Sequence, residues 1–223
     1  MEVKGINIDF LGHAGFIIKS GSVKIAIDPY NTSASVSEKV DLILITHGHY
    51  DHCSIKDIVK FAKPNCVVVC PADAQSKLTK VENIEIQVVE AGDKFKFGNL
   101  RVEAIPSYNV DKDFHPKSEG WLGYVIKMGN VIVYHAGDCD RIPEMKRLTG
   151  YGKKDNEFVA LLPVSGKFVM DPDEACEAAS LINPDLVIPM HYGAGVAGTL
   201  ADAEKFAELC KDIGLKVEIL KKI

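Results

Sequence analysis

The amino-acid sequence predicts an α/β (α+β) protein in which two mixed β-sheets pack face to face and helices cover both outer surfaces. This arrangement is a four-layer αβ/βα sandwich. Two observations lead to it. Short apolar runs of strand character, separated by Gly, Ser and Asn, fill the first hundred residues and recur after residue 120. Each group of strands is followed by segments of helical character, so each sheet has helices that can cover one face.

The first half contains most of the predicted strands and two predicted helices. A helix is expected over residues 54–63, because Pro64 cannot continue it. A shorter helix is expected over residues 72–78. The strands are expected at residues 6–12, 15–20, 23–29, 41–46, 66–70, 84–90, 94–97 and 100–106.

The second half repeats this rhythm. Gly129-Asn130 separates two apolar runs and predicts a hairpin. Asp171, with Pro172 after it and Glu174 three residues on, predicts a capped helix start. Thr199 is expected to cap a helix over residues 201–214. The strands are expected at residues 121–128, 131–137, 158–164, 185–192 and 216–220.

Composition and charge limit the classes of function. The chain has 223 residues, of which 47% are hydrophobic and 26% charged, as in ordinary globular proteins. No linker rich in Pro, Gly or Ser divides it, so we expect a single domain over residues 1–223. The net charge of −5 with scattered Lys and Arg disfavours a nucleic-acid partner and favours a small-molecule substrate.

Cysteine usage and the N-terminal sequence bear on location. The six cysteines form no CxxC pair, and the N-terminus lacks a basic region followed by a long apolar stretch. No segment has the length of a membrane span. We therefore expect a cytoplasmic protein with reduced thiols and no membrane partner.

The segment HGHYDH at residues 47–52 follows the apolar strand 41–46 and predicts a metal site with two divalent ions. His47 and His49 are two residues apart in its extended part and point the same way, so one ion can take both imidazoles. Asp51 and His52 lie past the turn and can reach a second ion. Imidazole and carboxylate ligands without thiolate suit zinc, with manganese or iron as alternatives.

Other candidate site residues lie at strand ends. His191 follows VIPM as His47 follows LILIT, which favours it as a ligand. Asp138 ends the strand VIVYHAG; a Gly-Asp there is normally a turn, but beside two metals such a carboxylate can bridge the ions. Asp28 is either a cap or a partner that orients a ligand histidine.

These motifs resemble those of a known family. HGHYDH, with LGHAG and IDP upstream and HAGD and PMHYG downstream in that order, resembles the metallo-β-lactamase superfamily of binuclear metallohydrolases. More narrowly, the chain is similar to the compact metal-dependent hydrolases related to ascorbate-6-phosphate lactonase. The resemblance spans residue 10 to about residue 195. It implies the same four-layer sandwich, with the metals at one edge of the sheets.

The resemblance also implies a ligand set. One metal takes a histidine from the middle of the chain, which in many relatives follows a strand ending in Pro-Ala. Asn109 occupies that place here. His115 in FHPK is the expected replacement, because some close relatives carry the same pattern. His135 is the alternative, although three residues before Asp138 on a strand it would point to the opposite face. The implied ligands are His47, His49 and His115 for one ion, Asp51, His52 and His191 for the other, and Asp138 between them.

The implied mechanism uses a hydroxide that bridges two ions about 3.5–4 Å apart, with a pKa near neutrality. Asp51 or Asp138 would orient the hydroxide or pass on a proton as the catalytic residues. Substrate contacts are expected from a further set, for which packing, support or solvation is an equal alternative. That set is His13, Tyr50, Asn109 and Lys117; Lys112, Arg141 and Lys167 could join Lys117 in holding an anionic group.

The function expected from the sequence is metal-dependent hydrolysis of a small, possibly anionic ester, lactone or phosphodiester. One alternative is a phosphodiesterase of nucleotides or nucleic-acid ends, against which the acidic net charge counts. Another is a non-catalytic binding module in which metals only stabilise the fold. A homo-oligomer is compatible with the size of the chain.

Overall fold

The computed structural model describes residues 1–153 and 155–223, and in these residues the strands form two sheets. The first sheet has seven strands whose spatial order follows the chain: β1 (Glu2–Val3), β2 (Ile6–Gly12), β3 (Gly15–Ser20), β4 (Val23–Ile27), β5 (Val40–Leu44), β6 (Ala62–Cys70) and β7 (Ile84–Val88). The second sheet has six: β8 (Lys94–Phe97), β9 (Leu100–Pro106), β10 (Leu122–Met128), β11 (Val131–His135), β12 (Glu157–Pro163) and β13 (Leu186–Met190).

Both sheets are mixed, as predicted. The pairs from β1 to β4 are antiparallel, and those from β4 to β7 are parallel. In the second sheet β8 to β11 pair antiparallel, whereas β12 pairs parallel with both β11 and β13. Parallel strands bring their carboxyl ends to one edge of a sheet, where ligand sites of open α/β sheets form.

In the part of the chain that the structure describes, four α-helices cover the outer faces of the sheets: α1 (Ile55–Phe61), α2 (Ala72–Leu78), α3 (Pro172–Ile182) and α4 (Leu200–Asp212). Alternation along β5 shows the layering, because Leu42 and Leu44 join the core between the sheets while Ile43 packs with α1 and α2. Buried Ala178 of α3 and Phe206 of α4 extend the core beyond the second sheet. The predicted four-layer sandwich is therefore confirmed. In the described residues, no helix is long and apolar enough to cross a membrane.

Most predicted boundaries are confirmed within a few residues. The capping box of Asp171 and Glu174 is present at the start of α3, and β10 and β11 pair across Gly129-Asn130. The first helix is shorter than predicted, because the chain is already extended at Ala62.

The edges of the sheets differ from the prediction in two places. The short strand β1 lies outside the predicted strands. The strand expected at residues 216–220 makes only two backbone hydrogen bonds to Val187 of β13 before the chain crosses to Phe10 of the first sheet. Residues 216–220 are partly or fully exposed in the structure. The alternation of residue types therefore could not show whether this segment forms the regular backbone hydrogen bonds of a strand.

The carboxylate of Asp57 fastens the loop after β4 to the first turn of α1. It accepts hydrogen bonds from the backbone N–H groups of Asn31 and Thr32, both at 3.1 Å, and from the hydroxyls of Thr32 at 2.5 Å and Ser54 at 2.7 Å. Burial alone would raise the pKa of Asp57, but these hydrogen bonds outweigh it and hold the pKa below its ordinary value. The ionised form therefore stabilises the fold.

We expect Asp57→Asn to lower the free energy of unfolding at pH 7 by about 2 kcal/mol, because hydrogen bonds to a charged group contribute about 1.5–3 kcal/mol. The folded pKa lies below the unfolded value of about 3.9, so this stability is present above that pH and is lost as pH falls through the folded pKa. Urea unfolding with chelator present, at pH 7 and pH 3, measures it. The gap between wild type and variant should shrink at pH 3; a constant gap contradicts the assignment. Asp173→Asn, on the exposed face of α3, is the control.

Candidate metal centre

The predicted ligands gather where neighbouring strands end. HGHYDH starts three residues after β5, Asp138 lies three residues after β11, and His191 directly follows β13. Asp28 follows β4 and His13 follows β2 in the same way. The two sheets thus place these side chains at one common edge of the sandwich.

Backbone conformation marks the same residues. Four site residues adopt left-handed conformations, with φ of 56° at His13, 41° at Asp28, 56° at His115 and 64° at His191. In the described part of the chain the other non-glycine residues with positive φ are Lys4 and four asparagines. Each such residue costs on the order of 1–3 kcal/mol, and such costs concentrate at functional sites. The surrounding contacts hold these four residues in place.

The first ligand group is His47, His49 and His115. One nitrogen of each lies within 4.8 Å of the others, and His47 Nε2 is 3.0 Å from His49 Nδ1. The structure thus brings together the three residues that the family resemblance implied, with His115 as the histidine from the middle of the chain.

The second ligand group is His13, Asp51, His52 and His191, whose ligand atoms also lie within 4.8 Å of one another. His13 Nε2 is 2.9 Å from Asp51 Oδ2. His13 was predicted to contact substrate or to support a ligand, and its place in this group is new. The available signal was its position after a strand end, in LGHAG, which matches the placement of His191.

Asp138 lies between the two groups. Its Oδ2 is 3.1 Å from Nε2 of His191, 3.3 Å from those of His52 and His115, and 3.9 Å from that of His47. In the described residues, buried Asp138 Oδ1 has no hydrogen-bond partner, and the contact of buried His52 Nε2 with Asp138 Oδ2 lacks the geometry of a hydrogen bond. Buried polar atoms without partners are rare in proteins and call for an unseen ion or water. These atoms therefore fit a site for cations.

Electrostatics favours the same interpretation. Burial lowers the pKa of His47, His49 and His115, so they are neutral imidazoles at pH 7 and available as ligands. Burial opposes charge on His52 too, but Asp138 and Asp28 raise its pKa well above the ordinary value. Burial likewise opposes charge on Asp138, yet His191 and His52 hold its pKa well below the ordinary range. A divalent ion would take the place of the His52 proton.

Hydrogen bonds at the far side of the rings orient the ligand histidines. In four of them Nδ1 is held by an outer partner while Nε2 faces Asp138, an arrangement typical of metal-bound histidine. Asp28 also accepts from the N–H and hydroxyl of Thr46, which supports its predicted orienting role. The Nδ1 partners are Thr46 Oγ1 for His47 at 3.0 Å, Asp28 Oδ2 for His52 at 2.8 Å, the Phe168 carbonyl for His115 at 2.9 Å and Ser165 Oγ for His191 at 2.8 Å.

Two candidate residues lie outside the centre. His135 Nε2 donates to the Ala14 carbonyl at 2.8 Å and its Nδ1 accepts from Gly137 N–H at 3.2 Å, so both nitrogens are used structurally. Lys117 Nζ pairs with Glu144 at 3.0 Å, and Lys117 is not among the residues that line the cavity at the ligand groups. These two expectations are corrected.

Asp73 and Trp121 belong to the site but were missed in the sequence. The Trp121 ring lies 4.7–5.2 Å from the rings of the first ligand group, and its Nε1 donates to Asp73 Oδ2 at 2.8 Å. The same oxygen accepts from Gly48 N–H at 2.8 Å, and a Cβ at Gly48 would come within 2.6 Å of it. This close approach explains why position 48 in HGHYDH is a glycine. No local sequence pattern connects residues 73 and 121 with HGHYDH.

A cavity of about 260 Å³ opens onto the centre. Tyr50, 64% exposed, stands at its mouth, and Asn109 lies behind its wall with its amide donating to two loop carbonyls. The lining residues are His49, Tyr50, Asp51, Phe114, His115, Asp138, Phe168, His191 and Val196.

Two mixed sheets between helices, with histidines and carboxylates gathered at one edge, define the class of metallo-β-lactamase folds with a candidate metal centre. The chain belongs to the metallo-β-lactamase superfamily, since the beta-lactamase superfamily domain matches residues 7–191.

Relatives match over almost the full length. A UPF0173 metal-dependent hydrolase of Thermoplasma acidophilum is 35% identical over 97% of this chain and 96% of its own. A UPF0173 metal-dependent hydrolase of Pyrococcus furiosus is 36% identical over 97% of this chain and 96% of its own. The structure of Igni18, a metallo hydrolase from Ignicoccus hospitalis, is similar with a TM-score of 0.75 at 25% identity, covering 97% of this chain and 95% of that one. The narrower resemblance to ascorbate-6-phosphate lactonase stays a prediction.

Proposed function

We propose that this protein is a hydrolase that binds two divalent metal ions and cleaves a small ester, lactone or phosphodiester. Zinc is the first candidate, with manganese or iron as alternatives. The observation that carries the proposal is the position of Asp138 Oδ2, within 3.9 Å of histidine nitrogens from both ligand groups. Relatives over almost the whole chain, named metal-dependent hydrolases, support it.

Each ligand group is proposed to hold one ion. His47, His49 and His115 would hold one, and the group around His52 and His191 would hold the other. Ions held by these residues would lower the pKa of a bound water and would polarise the carbonyl or phosphoryl oxygen of the substrate.

Asp51 is the proposed acceptor of the proton from the attacking water. It lines the cavity, and its Oδ2 is fixed by His13 at 2.9 Å. Burial would raise the pKa of Asp51, but the His13 contact and the His52 charge outweigh it, so Asp51 is ionised at neutral pH. It can take a proton as the water oxygen bonds to the carbonyl carbon. When the ester C–O bond breaks, the departing oxygen receives that proton.

The alternatives have less support. A module in which metals only stabilise the fold would need no access to its ligands, whereas the cavity reaches residues of both ligand groups. A phosphodiesterase of nucleic acids would use basic side chains, and the described lining contains no lysine or arginine. The single domain, the cytoplasmic location and a homo-oligomeric assembly stay predictions from the sequence.

Elemental analysis after reloading with zinc, manganese or iron tests the proposal. We expect about two ions per chain and turnover in a screen of lactones, esters and phosphodiesters. His49→Ala should lower both the ion count and turnover while the circular dichroism spectrum is retained. Lys205→Ala, on the exposed face of α4, is the control. One ion or none in the reloaded protein would instead favour the binding module.

A further inference from the structure

We propose that the cavity selects substrates with an uncharged, apolar group beside the scissile bond, and therefore carboxylic esters or lactones with a short hydrocarbon substituent. This inference rests on the proposed function, because it takes the cavity to be the substrate site. It differs from the sequence expectation of a possibly anionic substrate.

Part of the cavity wall is apolar. Phe114 and Phe168 meet edge to face, with ring centroids 4.7 Å apart and planes at 85°. Val196 adds an aliphatic surface, and Phe114 remains 47% exposed. Exposed aromatic surface inside a concave site gains free energy when an apolar ligand covers it. The volume of about 260 Å³ limits that ligand to a small group.

The side chains that line the cavity provide no cation for a second anionic group. In the described residues no lysine or arginine lines it, and the carboxylates of Asp51 and Asp138 face the proposed metal ions. Recognition of a carboxylate or phosphate substituent normally uses such cations. Three basic side chains that the sequence placed near the site are engaged elsewhere: Lys112 with Asp140 and Glu174, Lys117 with Glu144, and Arg141 with Glu177. Lys167 does not line the cavity, and its Nζ lies over the Phe168 ring, 4.8 Å from the centroid.

Asn109 fixes the apolar wall relative to the metal ligands. Its amide donates to the carbonyls of Phe114 at 2.8 Å and Phe168 at 2.7 Å. His115 follows Phe114 directly, and its Nδ1 lies 2.9 Å from the Phe168 carbonyl. A ligand histidine and both aromatic rings thus share one scaffold. We infer that Asn109 is a positioning residue for this wall.

The test uses hydroxamates, which chelate the metal through the same group and differ only in their tails. Acetohydroxamate, butyrohydroxamate and succinate monohydroxamate are titrated calorimetrically into the zinc-loaded protein. Burial of a methylene is worth about 0.8 kcal/mol, or about fourfold in affinity, so butyrohydroxamate should bind about fifteenfold more tightly than acetohydroxamate. The succinate compound, of equal length but anionic, should bind more weakly than butyrohydroxamate.

Three variants test which residues cause the differences in hydroxamate affinity. Phe114→Ala, at a half-exposed position that should tolerate truncation, is expected to lower the ratio of butyrohydroxamate to acetohydroxamate affinity from about fifteenfold to near one. Val196→Lys should reverse the preference toward the succinate compound. Val59→Ala on α1, which also removes a half-exposed apolar side chain, is the control and should leave all three affinities unchanged.

The outcomes separate the two proposals. Equal affinity for all three compounds, or tightest binding of the succinate compound by the wild type, would overturn the inference and leave the metal centre intact. Failure of all three to bind a protein that also holds no zinc would overturn the proposed function, and this inference with it.

Discussion

Replacing Asp138 by Asn is expected to lower bound zinc from about two ions per chain to one or fewer, and kcat by more than about 100-fold. The substitution keeps the volume of the side chain and removes its charge. Asp138 Oδ2 lies within 3.3 Å of Nε2 of His52, His115 and His191, so a neutral amide there would not balance the two proposed cations. Loss of a residue that only orients a ligand costs about 10–100-fold, and loss of the proposed bridging ligand should cost more.

Asp140→Asn is the matched control. Asp140 is also a buried carboxylate, two residues further on, but it accepts from Val110 N–H at 2.9 Å and pairs with Lys112 rather than with histidines. Its variant should lose stability and still bind about two ions. Elemental analysis, steady-state kinetics and circular dichroism distinguish the two. An Asp138→Asn protein that keeps two ions and full turnover would remove Asp138 from the bridging position.

The sequence allowed prediction of those parts of the site that depend on local geometry. The spacing of HGHYDH determines which side chains share a direction, and this requires only the strand that precedes it. The position of His191 also follows from local pattern, because parallel strands end at a common edge. The alternation of strands and helices likewise predicted the four layers.

Other features depend on contacts between residues far apart in the chain. Trp121 and Asp73 meet beside Gly48 only after both sheets have formed. Lys117 was selected for its proximity in sequence to His115, but Glu144, 27 residues away, pairs with it. Side-chain partners at such separations leave no periodic signal.

The position of His13 in the second ligand group could not be predicted from the sequence for another reason. In the sequence it is one histidine among glycines, for which a structural role is a reasonable expectation. The structure gives it φ of 56° and places its Nε2 2.9 Å from Asp51. Backbone strain of this kind indicates a constraint imposed by the site, and it cannot be read from residue types.

Gly137→Ala is expected to destabilise the chelator-treated protein by about 2–5 kcal/mol and to lower its zinc content after reloading. Gly137 has φ of +67°, which costs an L-residue about 1–2 kcal/mol. A Cβ there would also lie 2.6 Å from the Leu122 carbonyl oxygen and 2.9 Å from Ser107 Oγ, and overpacking costs about 1–3 kcal/mol more.

Neither neighbour of Gly137 can move without disturbing the metal centre. Leu122 N–H donates to the Thr46 carbonyl at 3.0 Å, immediately before His47, and Ser107 Oγ donates to the Asp138 carbonyl at 3.0 Å. A shift of Leu122 would therefore displace His47 of the first ligand group, and a shift of Ser107 would displace Asp138.

Gly129→Ala separates backbone strain from crowding. Gly129 has φ of +58°, but a Cβ there meets no atom within 4 Å, so only the strain of about 1–2 kcal/mol should remain, with zinc content unchanged. Urea unfolding with chelator present removes the contribution of bound metal to stability, and elemental analysis after reloading reports on the site. Equal losses in the two variants would show that the contacts of Gly137 with Leu122 and Ser107 do not position Asp138.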